Sequence, residues 1–509
     1  MKPPQLRILF VTPECAPLTK TGGLGDVSAA LPAALKKLRI DVRVLLPGYP
    51  SVLAATANPK VVATLAESAP QFESRLLEAR LPSGVPLLIL DCPSLYQRGG
   101  GPYQNEAGED WPDNGLRFGA FSRAAAVLGS AASPLQWRPH IVHCNDWPTA
   151  LAPAYLHYQD RPHAASVMTV HNLAFHGAFA PELVATLGLP PASYAIDGLE
   201  FYGRMSFLKA GLFYSDAITT VSPTYTREIQ SESHGCGLDG LLRTRRAALT
   251  GILNGIDTAQ WNPATDRLIA RRYGPRTVNL KRVNKQALQH QLGLAANPDV
   301  PLLGMVGRFT HQKGTDLIAS AVPELAALPV QLAALGSGER SYEDAMRSAA
   351  ARYPGQIAVV IGFDERMAHR IEAGADMFVM PSRFEPCGLN QMYSQRYGTP
   401  PIAHATGGLI DTIGDCTAET LASEAATGFL FDEPAMPALV TAIRRATAFF
   451  RDTLGWRTLQ QNAMACDFSW RRSAAEYVEV YRRIAPAVEE TKGQIGRGIT
   501  RKTRTERKT

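Results

Sequence analysis

Three glycines in four positions follow a lysine in the stretch Lys20-Thr21-Gly22-Gly23-Leu24-Gly25-Asp26-Val27. An apolar run that predicts a strand precedes this stretch, and the sequence after it predicts a helix. Glycine lets the backbone approach a ligand closely and a helix N-terminus presents unpaired N–H groups, so the loop suits a phosphate or diphosphate beside the cation of Lys20. Its spacing matches neither a Walker A loop nor the G-x-G-x-x-G fingerprint. Taken alone, the loop also fits a purely structural turn.

Two cations follow a second apolar run in the stretch Gly307-Arg308-Phe309-Thr310-His311-Gln312-Lys313-Gly314. Arg308 and Lys313 fall on a loop that leads into the next predicted helix. Fixed cations at that position can neutralise a diphosphate leaving group without a metal ion. The alternative is a solvated basic loop, which the presence of the first glycine-rich loop makes the weaker interpretation.

A carboxylate follows a third apolar run, in Pro381-Ser382-Arg383-Phe384-Glu385-Pro386-Cys387-Gly388-Leu389-Asn390-Gln391. The Pro-Cys-Gly sequence after Glu385 precedes a predicted helix, so the carboxylate lies beside a further set of free backbone N–H groups. Such a group could bind sugar hydroxyls or stabilise positive charge at an anomeric carbon. The alternative is an acidic residue that only favours a helix N-terminus.

Polar residues also follow two other predicted strands, in His143-Cys144-Asn145-Asp146-Trp147 and in Val170-His171-Asn172-Leu173. A histidine at the end of a strand is more often a hydrogen-bonded structural residue than a catalytic one. The chain contains no Asp-x-Asp for a metal–diphosphate site and no His-Glu-x-x-His for zinc.

The elements that position these residues alternate between strand-length apolar runs and longer amphipathic stretches, which is typical of a parallel sheet covered on both faces. Helices are predicted at Ser28–Leu38 and Arg117–Ala131. The predicted strands of the first half are Arg7–Thr12, Asp41–Pro47, Pro86–Asp91, His140–Cys144, Ser166–His171 and Ala217–Ser222.

The same alternation begins again after residue 250, with a helix at Lys281–Leu292 and another from Gly314. This indicates two α/β sheets in tandem. Because ligands of open α/β sheets bind at the carboxyl ends of the strands, two facing sheets would enclose the candidate residues in a cleft. Strands are predicted at Leu302–Val306, Val330–Leu335, Ala358–Ile361 and Met377–Met380.

Composition excludes several classes of protein. The chain has 509 residues, of which 45% are hydrophobic and 19% charged, a length that favours more than one domain. No apolar stretch approaches the roughly 18 residues of a membrane-spanning helix, and the N-terminal residues do not resemble a signal peptide. The 7 cysteines form no C-x-x-C pair, so we expect neither a disulfide framework nor a structural zinc site, and the cytoplasm is the expected location.

The net charge of +6 comes from the last 19 residues, 491–509, which hold seven basic side chains and one acidic one. The rest of the chain is electrically balanced, and we therefore expect no nucleic-acid partner. The tail is predicted to be disordered and solvated, with binding of a polyanion as the alternative.

Taken together, the motifs resemble the bacterial glycogen synthases and plant starch synthases. The resemblance runs from Leu6 to about Ile484. It is carried, in order, by Lys20–Asp26, Gly101–Tyr103, Trp111–Asn114 with Arg117-Phe118, His143–Trp147, Thr169–Leu173, Thr220–Tyr225, Leu253–Asp257, Gly307-Arg308 with Gln312–Gly314, Pro381–Gly388 and Thr406–Leu409.

The resemblance implies a GT-B fold, in which two Rossmann-like parallel-sheet domains face each other across a cleft. It implies an N-terminal domain over 1–250, a nucleotide-sugar-binding domain over 251–465, helices over 466–490 that cross back to the first domain, and the tail at 491–509. The implied reaction is retaining transfer of glucose from ADP-glucose to the 4-OH at the non-reducing end of an α-1,4-glucan. It needs no metal or other cofactor and takes place away from membranes, and the oligomeric state is left open.

The family's site residues are carried over onto matching positions. Lys20 and the Gly22-Gly23 backbone would contact the donor, Arg308 and Lys313 the phosphates, and Glu385 the glucose. His171 and Asp146 would line the reacting sugar. The remaining substrate-binding positions implied are Asp26, Asn254, Phe363, Cys387, Gly388, Leu389 and Asn390, with Phe363 stacking on adenine where relatives often have Tyr. Many retaining GT-B enzymes carry a second Glu eight positions after the first, whereas this chain has Tyr393, as expected for this subfamily.

Three other functions compete with this one. A GT-B enzyme could use UDP-glucose or a small-molecule acceptor, and the motifs separate these donors poorly. A nicotinamide oxidoreductase is disfavoured because G-x-G-x-x-G is absent. An inactive glucan-binding relative is disfavoured because the four charged candidates Lys20, Arg308, Lys313 and Glu385 are intact.

Overall fold

The computed structural model of the chain describes residues 5–65 and 72–485. The predicted tail, 491–509, lies outside the described residues, as do residues 486–490. Within the described ranges, every helix is too short or too polar to cross a lipid bilayer.

The first lobe is built on a nine-stranded sheet of order β12-β11-β7-β6-β1-β2-β5-β4-β3. Its strands pair in parallel except at one edge, where β3 and β4 join antiparallel. A small sheet of order β8-β10-β9 is inserted between β7 and β11. The strands are β1 Arg7–Val11, β2 Asp41–Pro47, β3 Lys60–Thr64, β4 Arg75–Arg80, β5 Pro86–Asp91, β6 Ile141–Asn145, β7 Ala165–Val170, β8 Ala178–Phe179, β9 Glu200–Phe201, β10 Arg204–Ser206, β11 Ala217–Thr220 and β12 Leu249–Gly251.

The second lobe is built on a six-stranded sheet of order β15-β14-β13-β16-β17-β18, and every pairing in it is parallel. Its strands are β13 Leu302–Val306, β14 Gln331–Gly336, β15 Ile357–Ile361, β16 Met377–Met380, β17 Pro401–His404 and β18 Phe429–Phe431. Apolar side chains cover both faces of this sheet, which explains the continuous Val, Ile and Leu runs of its strands.

Helices cover the faces of both sheets. Those of the first lobe are α1 Gly23–Lys37, α2 Pro50–Ala55, α3 Pro93–Tyr96, α4 Asn114–Leu128, α5 Ala152–His157, α6 Leu183–Thr186, α7 Phe207–Tyr214, α8 Pro223–Glu228 and α9 Asp239–Thr244. The helices that follow are α10 Lys281–Leu292, α11 Thr315–Ala326, α12 Arg340–Arg352, α13 Glu365–Gly374, α14 Asn390–Arg396, α15 Gly407–Thr412, α16 Ala418–Ala422, α17 Met436–Phe449, α18 Thr453–Ala465 and α19 Trp470–Ile484.

The predicted pair of tandem parallel sheets is confirmed, and the order of the strands shows where ligands can bind. In the first sheet the chain runs outward from β1 in one direction and from β6 in the other. In the second sheet it does the same from β13 and β16. A crevice opens at such a reversal, at the carboxyl ends of the strands. The loops that follow β1, β6, β13 and β16 hold four of the five candidate motifs, and the fifth, with His171, follows the neighbouring strand β7.

Some elements differ from the sequence-based predictions. Helix α1 begins at Gly23 rather than Ser28, because the glycines form its first turn despite their poor helix propensity. The β3–β4 hairpin was not predicted; β3 is an exposed edge strand, with Val61 57% exposed, and lacks the apolar run of a central strand. Strands β17 and β18 were also missed, since β17 begins with a proline and β18 has only three residues.

Helix α19 returns to the first lobe and packs against α1. The hydroxyl of Tyr481 is 2.7 Å from Nδ1 of His143, a fully buried side chain whose Nε2 is 2.6 Å from the hydroxyl of Thr169. Burial lowers the pKa of His143 to about 3, so the ring is neutral. His143 is therefore a structural residue that connects α19 to the sheet, in agreement with the more common role of a strand-end histidine.

Replacing Tyr481 with Phe should lower the free energy of unfolding by about 1–3 kcal/mol, because it leaves a ring nitrogen of His143 buried without a partner. Chemical denaturation followed by circular dichroism measures the change. Tyr49→Phe is the matched control, since the buried hydroxyl of Tyr49 has no partner within the described part of the chain. Equal stability of the Tyr481 variant and the wild type would contradict this assignment.

Candidate active site

The glycine-rich loop after β1 is held by a buried carboxylate, Glu14. One carboxylate oxygen accepts the backbone N–H groups of Thr21 (2.6 Å) and Gly22 (3.1 Å), and the other accepts the hydroxyl of Tyr103 (2.6 Å). Burial raises the pKa of Glu14, while these three hydrogen bonds oppose the rise. The N–H of Gly22 is thus occupied within the loop, and the first turn of α1 beyond it retains free N–H groups for a ligand.

Lys20 lies at the mouth of this loop and makes contact with both lobes. Its ammonium is 2.8 Å from a carboxylate oxygen of Asp26 and 5.9 Å from the ring centre of Phe363, which follows β15. Burial raises the pKa of Asp26, the Lys20 charge lowers it, and the nearby Glu365 raises it further. A β-carbon on Gly23 would lie 3.6 Å from the side chain of Leu389 in the second lobe. The Lys20 loop therefore lies directly against the second lobe.

The loop after β13 crosses the loop after β16 at very short range. Gly314 has a φ of +67°, and a β-carbon there would be 2.1 Å from the carbonyl oxygen of Pro381. Only glycine fits such an approach. Arg383 strengthens the crossing with two hydrogen bonds of 2.7 Å to Asp316. As a result, the side chains of these two loops share one site.

The crossing brings Lys313 to within 2.6 Å of Glu385. Glu385 is 5% exposed, and the oxygen that binds Lys313 also accepts the hydroxyl of Ser382 at 2.9 Å. A buried carboxylate is stable only when it is paired and hydrogen-bonded, and this one has both kinds of partner. Glu385 and Lys313, both predicted site residues, are therefore neighbours in space, although 72 positions separate them in sequence.

Glycines on a neighbouring loop support the backbone after Glu385. The N–H of Gly408 donates to the Glu385 carbonyl at 3.0 Å. A β-carbon on Gly408 would be 2.3 Å from the Cys387 carbonyl oxygen, and one on Gly407 would be 2.0 Å from that of Glu385. The Thr406-Gly407-Gly408 motif is thus explained by close backbone packing beneath the site.

Residues from the first lobe also hold this segment. The hydroxyl of Ser222, after β11, donates to the carbonyl of Pro386 at 2.6 Å. Burial raises the pKa of the Cys387 thiol to about 12, with hydrogen bonds from Asn254 acting against the rise. Asn254 is 5% exposed, and its side-chain oxygen has no hydrogen-bond partner among the described residues. The amide of Asn390 donates to the Val306 carbonyl at 2.6 Å, which fixes the start of α14 against the end of β13.

Asp146 and His171 form a second cluster, at the ends of β6 and β7. One carboxylate oxygen of Asp146 accepts the backbone N–H of His171 at 2.7 Å, and Nε2 of His171 is 3.0 Å from the side-chain oxygen of Asn145. Burial raises the pKa of Asp146 to about 7 and lowers that of His171 to about 3. Asp146 also has a φ of +55°, a strained conformation of the kind found at functional sites.

The side chains of two predicted residues are largely exposed. Phe363 is 78% exposed, and Arg308 is exposed and makes no ion pair with any residue in 5–65 or 72–485. Their side chains are therefore available to a ligand.

The predicted residues thus lie along the facing edges of the two lobes. Sequence reasoning missed the residues that hold them: Glu14, Ser382, Asp316 with Arg383, and Ser222. A signal existed for Glu14, which is a carboxylate two residues after a predicted strand and beside the glycine-rich loop. Nothing in the sequence pairs Ser222 with a residue 164 positions away.

The pKa of Asp146 makes stability depend on pH. Between pH 4 and 7 the unfolded chain loses the Asp146 proton while the folded chain keeps it, so this residue lowers the free energy of unfolding as pH rises. The neutral His143 and His171 act in the opposite direction over this interval, and a comparison with Asp146→Asn isolates the carboxyl.

We expect the Asp146→Asn variant to gain about 1–3 kcal/mol relative to wild type between pH 4 and pH 7, as measured by urea denaturation. The exposed Asp299, replaced by Asn, serves as the matched control. A constant difference across this range would show that Asp146 ionises normally.

Comparison with known proteins places these observations in one family. Residues 7–244 match the starch synthase catalytic domain and residues 289–448 match the glycosyl transferases group 1 family. The chain is 60% identical over 480 residues to a glycogen synthase of Aromatoleum aromaticum, covering 94% of this chain and 97% of that protein. It is 54% identical over 482 residues to a glycogen synthase of Nitrosospira multiformis, with coverage of 94% and 97%.

Two solved structures have the same overall fold as this chain. The catalytic domain of starch synthase IV from Arabidopsis thaliana, bound to ADP and acarbose, superposes with a TM-score of 0.87 at 31% identity, covering 95% of this chain and all of that one. A sucrose-phosphate synthase from Thermosynechococcus elongatus has a TM-score of 0.58 at 20% identity, with coverage of 94% and 99%, and shares the fold. The two facing parallel sheets therefore form a GT-B fold, as predicted, and the chain belongs to the glycogen synthase family of glycosyltransferases.

Proposed function

We propose that the protein transfers glucose from ADP-glucose to the 4-OH at the non-reducing end of an α-1,4-glucan, with retention of configuration. The observation that carries this proposal is the Lys313–Glu385 ion pair at the cleft, which combines a phosphate-binding cation with a carboxylate for the sugar. The relatives named glycogen synthase and the ADP-bound starch synthase support the choice of donor and acceptor.

Three cations form the phosphate side of the proposed site. Lys20 comes from the first lobe, and Arg308 and Lys313 come from the loop after β13. When the bond to the sugar breaks, the leaving phosphate gains negative charge, and cations that are already fixed in place stabilise that charge. Arg308 is the cation best able to bind phosphate, because no acidic side chain in the described residues neutralises it and its guanidinium can donate two parallel hydrogen bonds.

The sugar side of the proposed site is built around Glu385. Its carboxylate, together with the backbone of Cys387, Gly388 and Leu389, would bind the glucose hydroxyls. Asn254 has a buried side-chain oxygen without a partner in the described part of the chain, and a sugar hydroxyl would satisfy it. Asn390 would act by fixing the start of α14.

Asp146 and His171 would line the reacting carbon from the first lobe. Both are held by backbone or amide hydrogen bonds, so neither needs to reorganise when the sugar binds. The neutral ring of His171 donates its Nε2 proton to the side-chain oxygen of Asn145, so Nδ1 is the nitrogen that could accept a hydrogen bond from a sugar hydroxyl. Phe363 would stack on adenine, beside Lys20 and Asp26 at the entrance.

The arrangement favours attack on the same face as the leaving group. The anomeric carbon becomes positive while the phosphate departs, and the departing phosphate oxygen can take the proton of the attacking 4-OH. This route requires cations at the phosphate more than it requires a protein side chain that acts as a base. Tyr393, at the position of a second Glu in other retaining enzymes, is buried and stacks on Trp261 at 3.9 Å, so its ring acts as packing.

We also propose that the reaction is metal-independent and that the protein is cytoplasmic. The described residues contain no group of three or more His, Cys, Asp and Glu side chains arranged to hold a metal ion. The seven cysteines are free thiols, which suits a reducing compartment. We further propose the domain limits 1–250 and 251–465 given above.

Incubation with glycogen and either ADP-glucose or UDP-glucose, with nucleotide release measured, tests the proposal. We expect release of ADP that depends on glycogen, and an α-configured product by nuclear magnetic resonance. Faster release of UDP would favour the alternative donor. Release that does not depend on glycogen would favour a small-molecule acceptor.

Replacing Lys313 with Ala should lower kcat by about 10² or more, because the leaving phosphate loses a fixed cation. Steady-state kinetics with ADP-glucose and glycogen measures the loss. The exposed Lys60 on β3, replaced by Ala, is the matched control and should retain wild-type rates. A Lys313 variant with near-normal kcat would rule out this role for the ammonium group.

A further inference from the structure

The small sheet of the first lobe carries a tyrosine at the tip of its hairpin. Tyr202 and Gly203 form the two-residue turn between β9 and β10, with φ values of +49° and +76°. Two positive φ values in succession are typical of a type I′ turn. The side chain of Tyr202 is 81% exposed, the highest fraction among the large hydrophobic residues exposed in the described chain.

Tyrosine is poorly suited to this position. A β-carbon disfavours positive φ, and turns of this kind prefer Asn, Asp or Gly at the first central residue. An aromatic residue there is a conformational outlier, and outliers of this kind are concentrated at functional sites. Because the exposed ring adds little to a core, stability does not explain why the strained position is occupied by tyrosine.

The ring is nevertheless held in place by its neighbours. The ring centres of Phe201 and Tyr202 are 4.7 Å apart at an angle of 83°, and Phe201 in turn contacts the ring of His176 at 4.8 Å. A β-carbon on Gly237 would be 3.1 Å from Phe201 and 3.2 Å from Tyr202, so this glycine leaves space for both rings. Tyr202 therefore presents a positioned aromatic surface to solvent.

The hairpin lies on the edge of the lobe that carries Asp146 and His171. The small sheet is the next β structure after β7 in the chain. Gly177, which precedes its first strand, is six residues after His171. A β-carbon on Gly177 would be 2.4 Å from the indole of Trp147, the residue next to Asp146. The ring of Trp147 also contacts Phe179 on β8 at 5.8 Å. The small sheet is thus built onto the same strand ends that carry the candidate sugar-lining residues.

We infer that Tyr202 is a glucan-binding residue on the acceptor side of the cleft, which stacks on a glucose unit some distance from the reacting end. This inference rests on the proposed function. A pyranose ring has an apolar face of C–H groups that fits a flat aromatic ring, while its hydroxyl groups stay in water. A positioned aromatic ring at the tip of a hairpin suits stacking on a sugar chain, whereas a stable protein partner would bury a much larger surface.

The proposed glucan-binding site at Tyr202 differs from the proposed donor site in position and chemistry. The cations proposed to bind the diphosphate belong to the loops after β1 and β13, whereas Tyr202 lies beyond the ends of β6 and β7. A residue that holds the acceptor chain there acts on affinity for the glucan and leaves affinity for the nucleotide sugar unchanged. Replacing Tyr202 should therefore change the KM for glycogen and leave the KM for ADP-glucose unchanged.

The test is Tyr202→Asn, because Asn suits the turn and removes the ring without destabilising the hairpin. We expect an unchanged or higher Tm and a KM for glycogen five- to tenfold higher, with a KM for ADP-glucose within twofold of wild type. Retardation in native gels containing glycogen, which needs no turnover, should weaken in the same variant. Tyr202→Trp should keep wild-type glycogen affinity.

Leu454→Asn is the matched control, since Leu454 is 79% exposed on α18 and its replacement should change neither constant. A Tyr202→Asn variant with wild-type KM for glycogen and wild-type retardation would overturn the inference. Equal loss of affinity for ADP-glucose and glycogen would also overturn it. If wild-type protein fails to transfer glucose from ADP-glucose, the proposed function fails instead, and gel retardation still tests Tyr202.

Discussion

The ion pair between Lys313 and Glu385 is the interaction on which the site depends. A carboxylate that is only 5% exposed needs a cation and a hydrogen bond, and Lys313 and Ser382 supply them. The pair exists because Gly314 lets its loop pass within van der Waals contact of the Pro381 carbonyl. The same contact that stabilises the buried acid fixes the position of the Lys313 ammonium group, to which the proposed function assigns the leaving phosphate.

The rest of the fold holds this pair opposite the first lobe. Thr224 donates two hydrogen bonds of 2.8 Å to Asp411, and Glu228 accepts the N–H of Gly407 at 2.8 Å, so α8 is tied to the start and end of α15. Helix α19 returns to the first lobe and is bonded to the buried His143. The contacts between α8 and α15 connect the two lobes directly, and α19 connects them through the return of the chain. The site is therefore formed by two lobes whose relative position is held by polar contacts.

Much of this arrangement follows from the sequence. Central parallel strands are buried on both faces, so they appear as continuous apolar runs and were predicted correctly. The candidate motifs follow such strands, and their Gly, Lys, Arg and Glu residues were selected as candidates for that reason. Strands at the sheet edges, such as β3 and β18, bury less apolar surface, so their hydrophobic patterns in the sequence are weaker. Contacts such as Glu14 with Gly22, or Ser222 with Pro386, depend on how loops meet in space, and local sequence does not encode that pairing. The turn at Tyr202 was missed because an aromatic residue is not a turn signal.

A crystal structure of the protein with ADP tests the central claim most directly. The account predicts the diphosphate between the lobes, within hydrogen-bond distance of Arg308 and Lys313 and near the first turn of α1, with adenine against Phe363. Nucleotide bound on the outer surface of one lobe, with Arg308 and Lys313 still in solvent, would contradict it.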